Sequence, residues 1–278
     1  MTKSEVRYAH HPADVKHYTT EEIRTHFLIP TLFEYDTIRL VYTMYDRLIV
    51  GGVLPVSKAL RLETIEELKS QHFLDRRELG IINVGGAGKV TVDGIIYELE
   101  NKEALYVGKG VQEVIFDRIG SEQPHFYMNS APAHHAYPTK KIGRADAEVM
   151  QLGDQHYANR RTLNKLIVNS IVETCQLQMG LTELHPGNVW NTMPAHTHNR
   201  RMEAYFYFDL EAGQTISHFM GQPDETRHLF LQNHQAIISP EWSIHSGVGT
   251  SNYSFIWGMA GENLDYGDMD GITPAELR

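Results

Sequence analysis

His196, His198, Glu203 and His245 are the residues of this chain best suited to do chemistry. Three imidazoles and one carboxylate make a ligand set for a divalent transition metal. Alternate residues of a strand face one side, so His196 and His198 project together. Glu203 stands five residues after His198, an offset that would place it on the opposite face of one straight strand. The polar run Asn199-Arg200-Arg201 turns the chain instead, so Glu203 opens the next strand, Glu203 to Asp209. His245 lies in Ser239-Pro-Glu-Trp-Ser-Ile-His245, where Pro240 marks the approach to another strand.

The chain has 16 histidines, and a lone buried histidine is more often a hydrogen-bonded core residue than a ligand. The joint spacing says more than any single residue. His-x-His, a glutamate after four intervening residues, and Pro-x-Trp-x-x-His about 40 residues on resemble the two cupin motifs, H-x-H-x(3,4)-E and P-x-G-x-x-H. Trp242 stands where the second motif usually has glycine, and Gly187 and Gly213 flank the first more widely than is usual; neither change removes a ligand. On the ligand set alone, zinc, manganese or ferrous iron would each suit.

The elements that must position these residues read mostly as short strands between Gly, Pro, Asn and Asp. Asp93-Gly94, between two apolar-alternating runs, is a strong hairpin signal. Helices are few: Thr20–Phe27, capped by Thr19 or Thr20, and part of Ser57–Ser70. Many short strands suggest barrels or sandwiches. A weak internal repeat lays Arg77–Gly110 along Met202–His245, with Glu78 echoing Glu203. The first copy has no His-x-His before it. The fold class expected is therefore all-β dominated: two cupin-type β-barrels with a few short helices. A barrel without the metal motif is expected over residues 1–135 and a metal-binding barrel over 136–278, with the crossover at Ala131–Pro138. His134 and His135, adjacent on an extended segment, diverge and are set aside as ligands.

At 278 residues the chain can bury a substantial core, and its 41% hydrophobic content includes no apolar run long enough for a membrane span. The opening Met-Thr-Lys-Ser-Glu-Val-Arg carries no apolar signal segment, so cytoplasmic residence is expected. The single cysteine, Cys175, agrees with a reducing compartment and reads as a packed thiol. A net charge of −10 argues against a nucleic-acid partner, though local arginines can still receive a small anion.

Longer stretches carry a more specific likeness. Asp46-Arg-Leu-Ile-Val-Gly-Gly52, Arg76-Arg-Glu-Leu-Gly80, Leu105-Tyr-Val-Gly-Lys-Gly110 and Tyr137-Pro-Thr-Lys-Lys141 belong to it. So do Asn159-Arg-Arg-Thr162, Gly180-Leu-Thr-Glu-Leu184, Trp190-Asn-Thr-Met-Pro194, Glu225-Thr-Arg-His228 and Trp242–Thr250. Across its whole length the chain resembles the 4-deoxy-L-threo-5-hexosulose-uronate ketol-isomerases (5-keto-4-deoxyuronate isomerases), bicupin enzymes of pectin breakdown. The resemblance implies one zinc ion per subunit on His196, His198, Glu203 and His245, a cytoplasmic homohexamer, and a small anionic sugar acid as substrate. The reaction implied moves a carbonyl from C1 to C2 through an enediolate.

Such a substrate carries a carboxylate, which an arginine fork holds better than a lysine. Arg161, Arg201 and Arg227 are the candidates, with Arg201 favoured if its turn lies at a barrel mouth. For proton transfer, Glu203 and Lys165 are the candidates, with Tyr266, Asp270 and metal-bound hydroxide as alternatives. Two other classes remain open on the residues alone: a ferrous cupin dioxygenase, and a non-enzymatic sugar-binding bicupin with a structural metal. A phosphosugar isomerase would need a glycine-rich phosphate cradle, which is not evident.

Overall fold

The computed structural model describes residues 1–278. The chain divides into two compact units built from interleaved segments. One comprises Met1–Arg7, Thr31–Glu148 and Leu166–Met179; the other comprises Tyr8–Pro30, Val149–Lys165 and Gly180–Arg278. The expected single division after residue 135 is thus replaced: Tyr8–Pro30 belongs with the later unit and Leu166–Met179 with the earlier one. Strand pairing between distant segments decides this, and a linear cut cannot express it.

Each unit repeats one plan. In the first, a seven-stranded sheet runs Thr2–Arg7, Thr37–Thr43, Ile49–Leu54, Phe126–Pro132, Arg77–Asn83, Ala104–Val107, Lys140–Ile142, with a four-stranded sheet of Leu60–Arg61, Val114–Arg118, Gly88–Val92 and Ile95–Leu99. In the second, the seven-stranded sheet centres on Ser254–Gly261, Arg201–Phe208 and Gln235–Ser239, and the four-stranded sheet is Trp190–Asn191, Ser246–Gly249, Ile216–Gln222 and Glu225–Leu231. Alternation along the strands fills the first unit with Leu79, Ile81, Val90, Val92, Leu105, Val107, Phe126 and Met128.

Local expectations mostly hold. Thr19 caps Thr20–Phe27 in a capping box with Glu22. Asp93 (φ 44°) and Gly94 (φ 85°) turn the hairpin between Gly88–Val92 and Ile95–Leu99. The helix expected within Ser57–Ser70 reduces to one 3₁₀ turn, Glu66–Leu68. No helix is long and apolar enough to cross a membrane.

Register corrects the internal repeat by one residue. Pairing with the neighbouring strand begins at Leu79↔Val107 in the first unit and at Glu203↔Ser239 in the second. Leu79, not Glu78, is therefore the counterpart of Glu203, and Arg77 that of Arg201. A shift of one residue reverses the face of a strand side chain. Leu79 offers no ligand atom, and Glu78 points away from the unit's core. Its carboxylate accepts from the backbone N–H groups of Cys175 (2.8 Å), Gln176 (2.9 Å) and Leu177 (2.8 Å) and from the Tyr106 hydroxyl (2.8 Å). Burial, and then Glu78, push the Tyr106 phenol far up, so it stays a donor. Glu78→Ala leaves three backbone N–H groups, that of Leu177 buried and the other two partly so, without acceptors and is expected to cost about 3–5 kcal/mol in urea unfolding. A loss below about 1 kcal/mol would contradict this role.

Candidate metal centre

Each of the four expected ligands is brought to one point by a different backbone device. His196 lies in the short strand Ala195–Thr197, which pairs with Asp270–Ile272 through His196↔Gly271. His198 follows just past that strand's end. Glu203 is the third residue of Arg201–Phe208, flanked by Ser239 and Met259 on the adjoining strands. His245 stands immediately before Ser246–Gly249, after a turn closed by Ser243 N–H donating to the Pro240 carbonyl (3.0 Å). The ligand atoms of all four lie within 4.8 Å of one another, and His198, Glu203 and His245 are buried.

Second contacts aim the rings. His198 Nδ1 donates to the Arg201 carbonyl (2.8 Å), which turns its Nε2 toward Glu203 Oε2 (3.1 Å). His245 Nδ1 meets Ser239 Oγ (3.3 Å), with its Nε2 2.9 Å from Glu203 Oε2 and 2.9 Å from His196 Nε2. Nitrogen and oxygen ligand atoms thus converge on one small volume, which a divalent cation would occupy once the rings are deprotonated toward it. The residues fit such an ion.

Electrostatics agree. Burial and the neighbouring His245 push His196 down to about 3, so it is neutral and able to ligate. Burial opposes charge on His198, but the Glu203 carboxylate outweighs it and holds this ring above its ordinary value. Burial would raise the Glu203 carboxyl; His245 and His198 outweigh that and keep it well below the usual carboxylate range.

Beside the cluster lies a cavity of about 330 Å³ lined by His196, Glu203, Arg161, Arg201, Tyr205, Trp257 and Tyr266, among others. The three arginines expected to grip an anion separate here. Arg161 lines the cavity and donates only Nη1, to the Asn159 carbonyl (2.8 Å), so Nε and Nη2 remain for a ligand. Burial lowers its pKa, partly offset by Tyr205 and Tyr266. Arg201 also lines the cavity, but its fork holds backbone carbonyls: Asp265 (2.6 Å), Tyr266 (3.2 Å) and Asp268 (3.1 Å). It therefore fixes the loop that presents Tyr266. Arg227 lies elsewhere, on the hairpin Ile216–Gln222/Glu225–Leu231, where it donates to the Lys16 carbonyl.

Lys165 does not line the cavity; its ammonium lies 4.5 Å from the centre of the Tyr266 ring. Asp270 is an exposed residue of the short strand beside His196. Tyr205, Phe255, Trp257 and Met259 line the cavity, whereas Trp190, Met202 and Tyr207 do not. Thr182 and Thr192, which sequence reasoning passed over, also line it; only the alternation of Gln178–Leu184 could have flagged Thr182.

Comparison with known proteins places these features in context. A model of the KduI/IolB family matches residues 30–270. The chain is 60% identical over 278 residues to the 4-deoxy-L-threo-5-hexosulose-uronate ketol-isomerase of Formosa agariphila, covering all of this chain and 99% of that one. It is 54% identical to the protein of the same name from Bacteroides fragilis, again over all of this chain and 99% of the relative. Among solved structures, an IolB-like protein from Salmonella typhimurium LT2 superposes with a TM-score of 0.71 at 14% identity, over 88% of this chain and 96% of that one, a likeness of fold.

Proposed function

The chain belongs to the KduI/IolB family, and we propose that it is a ketol-isomerase converting 4-deoxy-L-threo-5-hexosulose uronate to 3-deoxy-D-glycero-2,5-hexodiulosonate. The observation that carries this reading is the opening of Glu203 and the free edge of Arg161 onto one cavity beside the converging His196, His198 and His245. The relatives' name supplies the substrate, an open-chain uronate with a C1 aldehyde, a C2 hydroxyl and a terminal carboxylate.

The difficult step is removal of the C2 proton, because negative charge then spreads over O1 and O2. A divalent cation held by His196, His198, Glu203 and His245 would supply Lewis-acid stabilisation of that charge, worth several kcal/mol. Zinc as that ion, a hexameric assembly and cytoplasmic residence are supported by the resemblance described in the sequence. Arg161 holds the terminal carboxylate through Nε and Nη2, which fixes the sugar chain's direction in the cavity. Arg201 acts on the substrate indirectly, by holding the Asp265–Asp268 carbonyls and so the Tyr266 wall. Trp257 and Phe255 exclude water along the apolar side.

Glu203 is the group placed to move the proton. Its Oε2 faces His198 and His245, whereas Oε1 has no hydrogen-bond partner in the chain. Oε1 takes the proton from C2 and, after exchange with solvent, delivers one to C1 on the same face, while the O2 hydroxyl proton passes to O1. The depressed pKa of Glu203 makes it a weak base, and its fixed position compensates. Lys165, seated on the Tyr266 ring, supports that ring instead.

Incubating the metal-replete protein with the uronate and following loss of the aldehyde tests the assignment; an unchanged substrate would overturn it. Arg161→Lys is expected to lower kcat/KM by about 10–100-fold, mostly through KM, because a point charge replaces a two-pronged donor. Unaltered steady-state constants would remove Arg161 from the carboxylate site.

A further inference from the structure

A second cavity, of about 170 Å³, lies in the first unit and takes no part in the chemistry above. Its inner wall is Arg77, only 4% exposed and the counterpart of Arg201 in the repeat. Arg77 Nε donates to Ser130 Oγ (3.0 Å), and Nη2 donates to the carbonyls of Ser130 (2.6 Å) and Arg47 (2.7 Å). Nη1 has no partner, and no carboxylate accepts from this side chain. Glu78, the adjacent residue, faces the other way and is occupied by four donors. A buried cation without a hydrogen-bonded counter-ion is uncommon and calls for an explanation. Burial pushes its pKa down to about 10, with Tyr42 and Glu78 opposing that shift.

The cavity mouth adds charge of the same sign. Arg47 and Arg76, both exposed, line it with Glu67, so three cations face one carboxylate in a chain whose net charge is −10. Arg76 is held by its Nη2 on the carbonyls of Leu68 (3.0 Å) and Lys69 (2.8 Å). Arg47 is held by a strained turn: Asp46 (φ 43°) and Arg47 (φ 52°) both occupy the left-handed region, and Leu48 N–H closes the turn onto the Tyr45 carbonyl (3.1 Å). Turns of this kind favour Asn-Gly, and strain kept in its place often marks a functional position. Here it keeps the Arg47 carbonyl on Arg77 and its side chain at the cavity.

We propose that this cavity is a binding site for a small oxyanion, a phosphate or carboxylate group seated on Arg77 Nη1 with Arg47 and Arg76 beside it. Its volume lies below the range of about 300–1,000 Å³ usual for organic ligands, so it suits one such group. The source is either free phosphate or the carboxylate of a small organic acid.

The test uses the full-length, metal-loaded protein in chloride buffer at constant ionic strength, titrated calorimetrically with inorganic phosphate and, separately, with acetate. Saturable binding of one anion per chain is expected, and the anion that saturates identifies the source. Arg47→Gln should weaken it by at least about tenfold, the loss of a charge-assisted contact. His198→Ala, which disables the metal cluster, should leave it unchanged. Absence of saturation by either anion, binding indifferent to Arg47→Gln, or binding lost with His198→Ala would each overturn the proposal; in the first two cases Arg77 is only a clamp on Ser130 and Arg47. Failure here leaves the isomerase assignment untouched, since the two sites share no residue.

Discussion

His198→Ala is expected to lower kcat by about 10³–10⁵-fold while the protein remains folded, with bound metal falling in parallel. The size follows from what His198 does. It is one of three imidazoles in the cluster, its Nδ1 anchors it to the Arg201 carbonyl, and its Nε2 has no role other than toward Glu203 and the cation. Removing it leaves a buried carboxylate with one imidazole fewer, and the remaining ligands hold a cation poorly. Chelation of the wild-type protein should reproduce the loss, and added divalent metal should restore the wild type but not the variant. Metal analysis alongside steady-state rates reads both quantities. A variant that loses its metal and keeps its rate would move the cluster to a structural role, as in a sugar-binding protein. A sharp fall in stability with no turnover in either protein would say the same.

Glu203→Gln is the second large effect, at about 10³-fold in kcat, and it separates the proton-moving role from the ligating one. Gln keeps an oxygen for the cation and loses the capacity to take a proton. Metal content should therefore fall much less than activity. Tyr266→Phe, which alters the cavity wall without touching the ligands, should cost at most about tenfold. If Tyr266→Phe were the more damaging of the two, with metal intact in both, the base would be the phenol rather than Glu203.

The clustering of these four residues was legible because few arrangements explain two histidines in alternation, a glutamate beyond a turn and a histidine after Pro-x-Trp. Such residue types are costly to bury without a purpose. The capping box at Thr19 and Glu22 and the Asp93-Gly94 hairpin were legible for a similar reason: each is a local device complete within a few residues. What escaped depends on distant partners. Glu78 matched Glu203 by eye, but only pairing with Ala104–Val107 shows that Leu79 holds that place. Arg201 carries the right chemistry for a substrate anion, yet the loop that claims it arrives more than 60 residues later. Arg227 is drawn aside by a carbonyl 211 residues earlier in the chain. The two units exchange segments for the same reason. Arg161, by contrast, could be named but not ranked, since its freedom shows only once its neighbours' partners are known.

The C2 proton transfer proposed for Glu203 beside the metal cluster decides the assignment. It is tested most directly by proton NMR of the metal-replete protein with 4-deoxy-L-threo-5-hexosulose uronate in deuterated water. Loss of the aldehyde signal and a ketone product carrying solvent deuterium at C1 are expected, with neither change in Glu203→Gln over the same period. Conversion in which the substrate's own C2 hydrogen is fully retained at C1, at an undiminished rate in Glu203→Gln, would contradict it.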